Sequence, residues 1–304
     1  MRILITGGSG FIGKPIIEKL LSSDQEVRIL AITRKYNKKL PKNDYIQWIE
    51  GDLSQLSEIS CQIKKFQPEI VIHLAWNDIP NFSQIRCIEN LNQSIDFFEL
   101  IWNAQSCKKI IVAGSCLEYG SKFGICRESD KTNSNDFFSW SKLSLLDYLQ
   151  KKTDHKNICL GWLRIFYAYG PGQRKGSLIP FIIENLKNGK LPPLKTPNNY
   201  NDYIHINDIA DLFSLSVNKE FPSGIYNVGS GKKTSVIEIC KIAESVILNQ
   251  ETLSTALEEQ SIDSISDVSF YSSIESTKSV FDWVPSTNLK DGIVQTYQSS
   301  IYDQ

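Results

Sequence analysis

A glycine-rich turn, Thr6-Gly7-Gly8-Ser9-Gly10-Phe11-Ile12-Gly13, joins a β-branched run at Arg2–Thr6 to an amphipathic helix pattern at Gly13–Ser22. A strand that enters a helix through so tight a turn commits the chain to a βαβ start. Glycines 7, 10 and 13 permit positive φ and a close backbone approach to an anion. The first N–H groups of the helix then supply donors and the positive end of its dipole. The turn therefore reads as a cradle for the diphosphate of a dinucleotide, against the plainer reading of a βα loop that merely needs φ > 0. Its spacing is GxxGxxG, not GxGxxG.

The first half of the chain repeats the alternation. Strand patterns fall at Glu26–Thr33, Ile46–Glu50, Ile70–Leu74, Lys109–Ala113 and Ile158–Arg164, and helical patterns at Ile85–Gln105 and Ser139–Lys152. Alternation of this kind implies right-handed crossovers and a mostly parallel sheet with helices on both faces. From Tyr167 onward the pattern loosens. Asn188–Asn201 reads as loop or a small two-stranded piece, Asn207–Val217 and Ser235–Leu248 as helices, and Trp283–Asn288 as a tail segment. A length of 304 residues suits one large α/β unit, or a nucleotide-binding domain with a smaller companion.

Charge and cysteine usage narrow the function. The net charge of −1 argues against nucleic acid or an anionic membrane as partner. Seven cysteines, without CxxC or Cys/His spacing, point to free thiols in a reducing compartment and to no metal. Neither a leader nor a run of transmembrane length is visible, so a cytoplasmic protein is expected.

Cofactor choice turns on the second strand. A strand that serves an intact adenosine ribose ends in a carboxylate about 20 residues after the glycines. Here the strand runs into Arg34 and Lys35. A guanidinium grips a 2′-phosphate in a bidentate fork, which favours NADP over NAD. The alternative is a pair of solvated surface cations.

Further strings stand in order: Gly51-Asp52-Leu53, His73-Leu74-Ala75, Gly114-Ser115-Cys116-Leu117-Glu118-Tyr119-Gly120, and Leu163-Arg164 leading to Tyr169-Gly170-Pro171-Gly172-Gln173. Asp202-Tyr203-Ile204-His205-Ile206-Asn207-Asp208 and Tyr226-Asn227-Val228-Gly229-Ser230 follow. Together they resemble the extended short-chain dehydrogenases, the NAD(P)-dependent sugar-nucleotide epimerase/dehydratase/reductase family. The resemblance runs from residue 1 to about residue 292. It implies a Rossmann-type doubly wound α/β domain over 1–166, to which 203–228 returns, and a smaller C-terminal lobe over 167–304 for a nucleotide diphosphosugar. The cofactor positions it implies are Gly7, Gly10, Phe11, Ile12, Gly13, Arg34, Asp52, Leu53, Leu74, Ala75 and Lys142.

The family's redox site uses Ser or Thr, Tyr and Lys. Its serine maps onto Ser115 and its lysine onto Lys142, with the tyrosine expected four residues before the lysine, where this chain has Phe138. A phenyl ring fills the space of a phenol but neither takes nor gives a proton. Three readings follow. An introduced Tyr→Phe substitution traps substrate; a natural variant uses another donor, such as Tyr119, Cys116 or water; or the protein binds cofactor with little turnover.

Family dehydratases carry Thr-Asp-Glu where this chain has Ser115, Cys116 and Leu117, so elimination of water is not expected. The turn looks most like that of the 4-keto-6-deoxyhexose reductases, with 4-epimerisation as the second reading and a non-catalytic binding protein as a third from another class. Substrate contacts are expected from Ser115, Cys116, Arg174 and Ser177. Asn201 stands where the family often places an arginine for the diphosphate, which leaves Arg174 or Lys175 as substitutes. The stripes Leu91, Ile95, Phe98, Trp102 and Leu143, Leu146, Leu149 suit a homodimer, or simply the core.

Overall fold

Strand β1 (Arg2–Thr6) buries Ile3, Leu4 and Ile5 completely, as a central strand covered by helices on both faces must. It pairs in parallel with β2 (Arg28–Thr33) on one side and β4 (Ile70–His73) on the other, with Ile3 opposite both Ile29 and Ile70. Strand β3 (Ile46–Glu50) lies beyond β2, and β5 (Lys109–Ser115) beyond β4, again in parallel. With β7 (Cys159–Ile165) and β11 (Gly224–Val228) they form a seven-stranded sheet in the order β11-β7-β5-β4-β1-β2-β3. Helices α1 (Gly13–Leu21), α2 (Leu56–Phe66), α3 (Gln84–Ala104) and α4 (Phe137–Lys156) provide the crossovers. This is a Rossmann-type doubly wound sheet. Its order reverses between β1 and β4, and in such sheets ligands bind beyond the carboxyl ends of the strands at that point.

The computed structural model describes residues 1–23, 26–37, 40–249, 254 and 269–302. Stretches 250–253, 255–268 and 303–304 of the expected C-terminal lobe lie outside the described residues. The chain divides into two compact units: Met1–Gly120, Lys131–Arg164 and Ala210–Tyr226 in the first; Ser121–Asp130, Ile165–Ile209 and Asn227–Gln304 in the second.

Leu4, Leu30, Val71, Phe97, Phe98, Ile101, Leu145, Leu149 and Trp162 build the core of the first unit, each large side chain contributing about 1.5–3 kcal/mol. That core absorbs most of the two stripes read as possible dimer faces. Leu91, Phe98, Trp102, Leu146 and Leu149 are buried within the unit, while Ile95 and Leu143 pack against the same cluster half-buried. Helix α4 is longer than its apolar pattern. Asp136 accepts the Ser139 N–H at 2.7 Å and starts the helix early, and Asn157, at φ 54°, ends it in a left-handed turn.

In the second unit, β8 (Tyr167–Tyr169) pairs with β10 (Tyr203–His205), and a four-stranded sheet runs β12 (Thr234–Ser235), β9 (Tyr200–Asn201), β13 (Ser269–Ser272), β6 (Phe123–Cys126). Helix α5 (Leu178–Lys187) and α7 (Val236–Leu248) bury Ile179, Ile182, Ile183, Ile239, Cys240 and Ala243 together. Helix α6 (Ile206–Asn218) follows β10, and α8 (Glu275–Phe281) and α9 (Leu289–Tyr302) come last.

Candidate active site

The glycine turn leaves no room for side chains. A Cβ on Gly7, whose φ is 70°, would lie 2.8 Å from the Ala75 nitrogen, and one on Gly13 would lie 2.3 Å from the Gly7 carbonyl oxygen. Gly10 N–H donates to that carbonyl at 3.0 Å and closes the turn. Ile12 occupies the N-cap of α1 and offers no side-chain acceptor, so the first N–H groups of the helix have no capping side chain. Phe11 and Ile12 stand half-buried beside them. Lys14 N–H is given to the Gly10 carbonyl at 3.1 Å and Pro15 has none, so a dinucleotide diphosphate fits this turn through its bare glycine backbone and the positive helix end.

Behind the turn lies a buried relay that settles its own tautomer. Ser94 Oγ donates to the Asn90 carbonyl at 2.7 Å, so it must accept from His73 Nε2 at 3.1 Å. His73 Nδ1 is then an acceptor, for the Thr6 hydroxyl at 2.9 Å, and Thr6 Oγ1 accepts the Ala75 N–H at 3.2 Å. Leu74 N–H meets the Thr6 carbonyl at 3.2 Å. Ala75 is thus tied through the Thr6 hydroxyl to a neutral imidazole, while Leu74 is held by the Thr6 backbone carbonyl.

Complete burial, with the Lys142 charge as a smaller cause, lowers the His73 pKa to about 3. The sign follows from linkage: an imidazole with a depressed native pKa stabilises fully above its unfolded value near 6.5, and that stability drains away as pH falls toward about 3. Each pH unit costs about 1.4 kcal/mol. Between pH 7.5 and 5 the protein should lose about 2 kcal/mol more than His73→Asn, read from urea unfolding midpoints. Equal losses would show that His73 does not govern acid stability.

At the end of β2, Arg34 Nη1 donates to Asn77 Oδ1, and Asn77 N–H in turn donates to Asn90 at 2.6 Å. Arg34 is exposed and donates to an uncharged amide, and among the described residues no acid pairs with it. Asp52 caps the 3₁₀ turn that begins at Leu53, accepting Ser54 N–H at 2.8 Å.

The three residues aligned with the redox site gather around β5. Ser115 is the N-cap of the next 3₁₀ turn and its Oγ accepts Leu117 N–H at 3.2 Å, which leaves its own proton to donate. Lys142 reaches across from α4 and donates to the Ala113 carbonyl at 2.9 Å. Its Nζ lies 4.0 Å from the centroid of Trp76 and 5.9 Å from that of Phe138. Phe138 stacks on Phe82 at 4.4 Å and meets the edge of Trp76 at 5.6 Å. Position 138 is therefore part of an aromatic box over the ammonium. Burial pulls the Lys142 pKa down to about 8, partly opposed by Glu118.

Glu118 is the residue whose role the sequence reading missed. It is fully buried, accepting Arg164 Nε at 2.7 Å, Trp162 Nε1 at 3.0 Å and the Ser115 N–H at 2.8 Å. Its partners Ser115 and Arg164 sit in two separate strings, Gly114–Gly120 and Leu163-Arg164, with Trp162 just before the second, so the link was visible only as two motifs in order. Tyr119, one of the alternative donors, lies under the Arg164 guanidinium, 4.6 Å from Cζ to ring centroid, and Cys116 is buried beside it in sequence. Trp76 was missed as well, although it directly follows His73-Leu74-Ala75.

In the second unit Arg174 is exposed, and Ser177 is the N-cap of α5 with no side-chain capping bond. Asp202 and Asp208 are buried acceptors that organise loops: Asp202 takes the N–H groups of Ser230 at 2.6 Å and Gly231 at 3.0 Å, and Asp208 takes Ser286 N–H at 2.8 Å. Among the described residues no cluster suits a metal ion, and no helix is long and apolar enough to cross a membrane.

Comparison with known proteins agrees with this geometry. The chain is 26% identical, over 98% of its length and 96% of the relative's, to a dTDP-4-dehydro-6-deoxyglucose reductase of Escherichia coli. A CDP-abequose synthase of Salmonella muenchen is 25% identical, with 79% of each chain covered. Among solved structures, a dTDP-glucose 4,6-dehydratase from Bacillus anthracis in complex with NAD superposes with a TM-score of 0.84 at 22% identity, covering 100% of this chain and 97% of that one. A UDP-glucose 4-epimerase from Thermotoga maritima with UDP-glucose gives 0.83 at 18%, covering 100% and 99%. The model of the NAD dependent epimerase/dehydratase family matches residues 3–229. This chain belongs to the NAD dependent epimerase/dehydratase family.

Proposed function

We propose that the protein reduces the keto group of a nucleoside diphosphate 4-keto-6-deoxyhexose, using NADPH in preference to NADH. The observation that carries the reading is the state of the turn after β5. Leu117 replaces an acid there, and Glu118 is spent on Arg164 and Trp162, so that turn offers no carboxylate to drive elimination. Reduction and epimerisation remain, and reduction has support from the reductase similar over nearly the whole chain. Phe138 favours a second reading, a binding protein with little turnover.

In this proposal the first unit holds the dinucleotide and the second the nucleotide sugar. When bound, the reduced cofactor supplies a hydride. Gly7, Gly10 and Gly13 seat its diphosphate, Asp52, Leu53, Leu74 and Ala75 line its path, and Arg34 takes a 2′-phosphate. Ser115 donates a hydrogen bond from its hydroxyl to the sugar oxygen. Arg174 and Ser177 are the residues of the second unit assigned to the sugar diphosphate. Assembly as a homodimer belongs to the same proposal, and sedimentation velocity tests it.

Two measurements check these assignments. Ser115→Ala should weaken sugar-nucleotide binding by about 5- to 150-fold, the equivalent of about 1–3 kcal/mol for a lost buried partner. Dinucleotide affinity should barely change, and an unchanged sugar-nucleotide affinity would move the non-catalytic reading ahead. Calorimetric titration should show tighter binding of NADP(H) than NAD(H), and Arg34→Ala should erase the difference. Tighter NAD(H) binding, indifferent to Arg34→Ala, would reverse the cofactor assignment.

A further inference from the structure

Phe138 removes the phenol that Lys142 is expected to assist, yet the lysine keeps a tightly defined place. Its Nζ is anchored by the Ala113 carbonyl at 2.9 Å and faces the Trp76 ring at 4.0 Å. Ala113 lies two residues before Ser115 on β5, so the ammonium and the Ser115 hydroxyl serve one strand end. An ammonium has three donors. The carbonyl takes one and the π face attracts another; among the described residues the third meets no oxygen acceptor.

The ionisable groups around it are committed elsewhere. From β4, His73 is neutral with both ring nitrogens bonded. After β5, Glu118 is paired with Arg164. At the start of α4, Asp136 accepts the Ser139 N–H at 2.7 Å. From α3, the Cys87 thiol is pushed up, chiefly by burial.

We propose that Lys142 is itself the proton donor of the reaction, with Trp76 as its positioning residue. The inference rests on the reductase reading given above. The step balances as follows. The carbonyl carbon gains a hydride from the reduced nicotinamide, which is oxidised as the carbonyl is reduced. The C=O π pair becomes an oxyanion, and that oxygen takes one proton from Lys142 Nζ. The neutral amine left behind is reprotonated from bulk water. Burial lowers the lysine pKa to about 8, close enough to neutrality for an ammonium to act as a general acid. Catalysis through Lys142 therefore demands the protonated form and fails as pH rises past that value.

The test uses the full chain with NADPH and dTDP- and CDP-linked 4-keto-6-deoxyglucose. The kcat of the Phe138 protein should fall above about pH 8, and ¹³C NMR of lysine-labelled protein bound to NADP⁺ should show Lys142, assigned by Lys142→Arg, titrating over the same interval. Lys142→Arg, whose guanidinium does not release its proton, should lose about 10²-fold or more in kcat, while KM for the sugar nucleotide changes by less than about threefold. A pH-independent kcat across the interval in which Lys142 titrates overturns the proposal, as does a Lys142→Arg protein that keeps its kcat. If only Phe138→Tyr turns over, Lys142 is not the donor but the reductase reading stands. If neither form reduces any of these substrates, the reductase reading falls, and this inference with it.

Discussion

Phe138→Tyr is expected to raise turnover of a 4-keto sugar nucleotide by about 10²-fold or more. The substituted position is four residues before Lys142 on α4, one helical turn along the same face, and their side chains already meet at 5.9 Å from Nζ to ring centroid. A phenol there would sit beside an ammonium, whose charge favours the phenolate and so sharpens proton transfer. Lys142 would keep its anchor on Ala113 and change role from donor to assistant. NADPH oxidation by the two forms, compared at saturating substrate, is the measurement. A Phe138 protein that is already fast and gains nothing would mean that the phenol is dispensable in this member of the family. A tyrosine form that stays inert while binding both ligands would favour the binding protein.

The second large effect concerns Glu118 and Arg164. The pair is almost wholly buried, with side-chain exposures of 0% and 2%, and closes at 2.7 Å. Removing one partner strands the other as an uncompensated charge, which typically costs about 3–5 kcal/mol. Glu118→Ala should cost that much, and should also release Trp162 Nε1 and the Ser115 N–H from their shared acceptor. Against a typical total stability of about 5–15 kcal/mol, many molecules would fail to fold. Replacing the pair by apolar residues of similar volume, Glu118→Leu with Arg164→Met, should recover more than half of the loss in urea unfolding, because no lone charge remains. If the double variant were as unstable as Glu118→Ala, the network would be needed for its hydrogen bonds and not for charge balance. The consequence for function is direct: Glu118 shapes the turn that presents Ser115 and is not free to act as an acid.

Legibility differed between the fold and the site. Strand β1 was readable to the residue, because Arg2–Thr6 is a β-branched run stopped by a turn that only glycines can make. Helix α4 was readable as a helix but not at its ends. Its start depends on Asp136 folding back onto Ser139 N–H, a local bond that leaves no periodic trace. Gly7 and Gly13 were singled out as glycines correctly, yet the atoms that forbid side chains there come partly from Ala75, sixty-eight positions away from Gly7. Serine at 115 invited two readings, cap and catalyst, and the structure gives its oxygen to the cap while leaving its proton.

The sequence by itself determined the parallel α/β architecture, the glycine turn after β1 and the phenylalanine four residues before Lys142. Those are matters of residue type, period and spacing, which local sterics and hydrophobic burial translate directly into structure. Only the tertiary structure decided which charges are spent and which are available. Glu118 lost its freedom to Arg164, 46 positions away, and His73 became a neutral link between Thr6 and Ser94. Lys142 was set under Trp76 against the Ala113 carbonyl. Ionisation depends on burial and on partners brought together from distant segments, and those distances exist only once the sheet has closed around them.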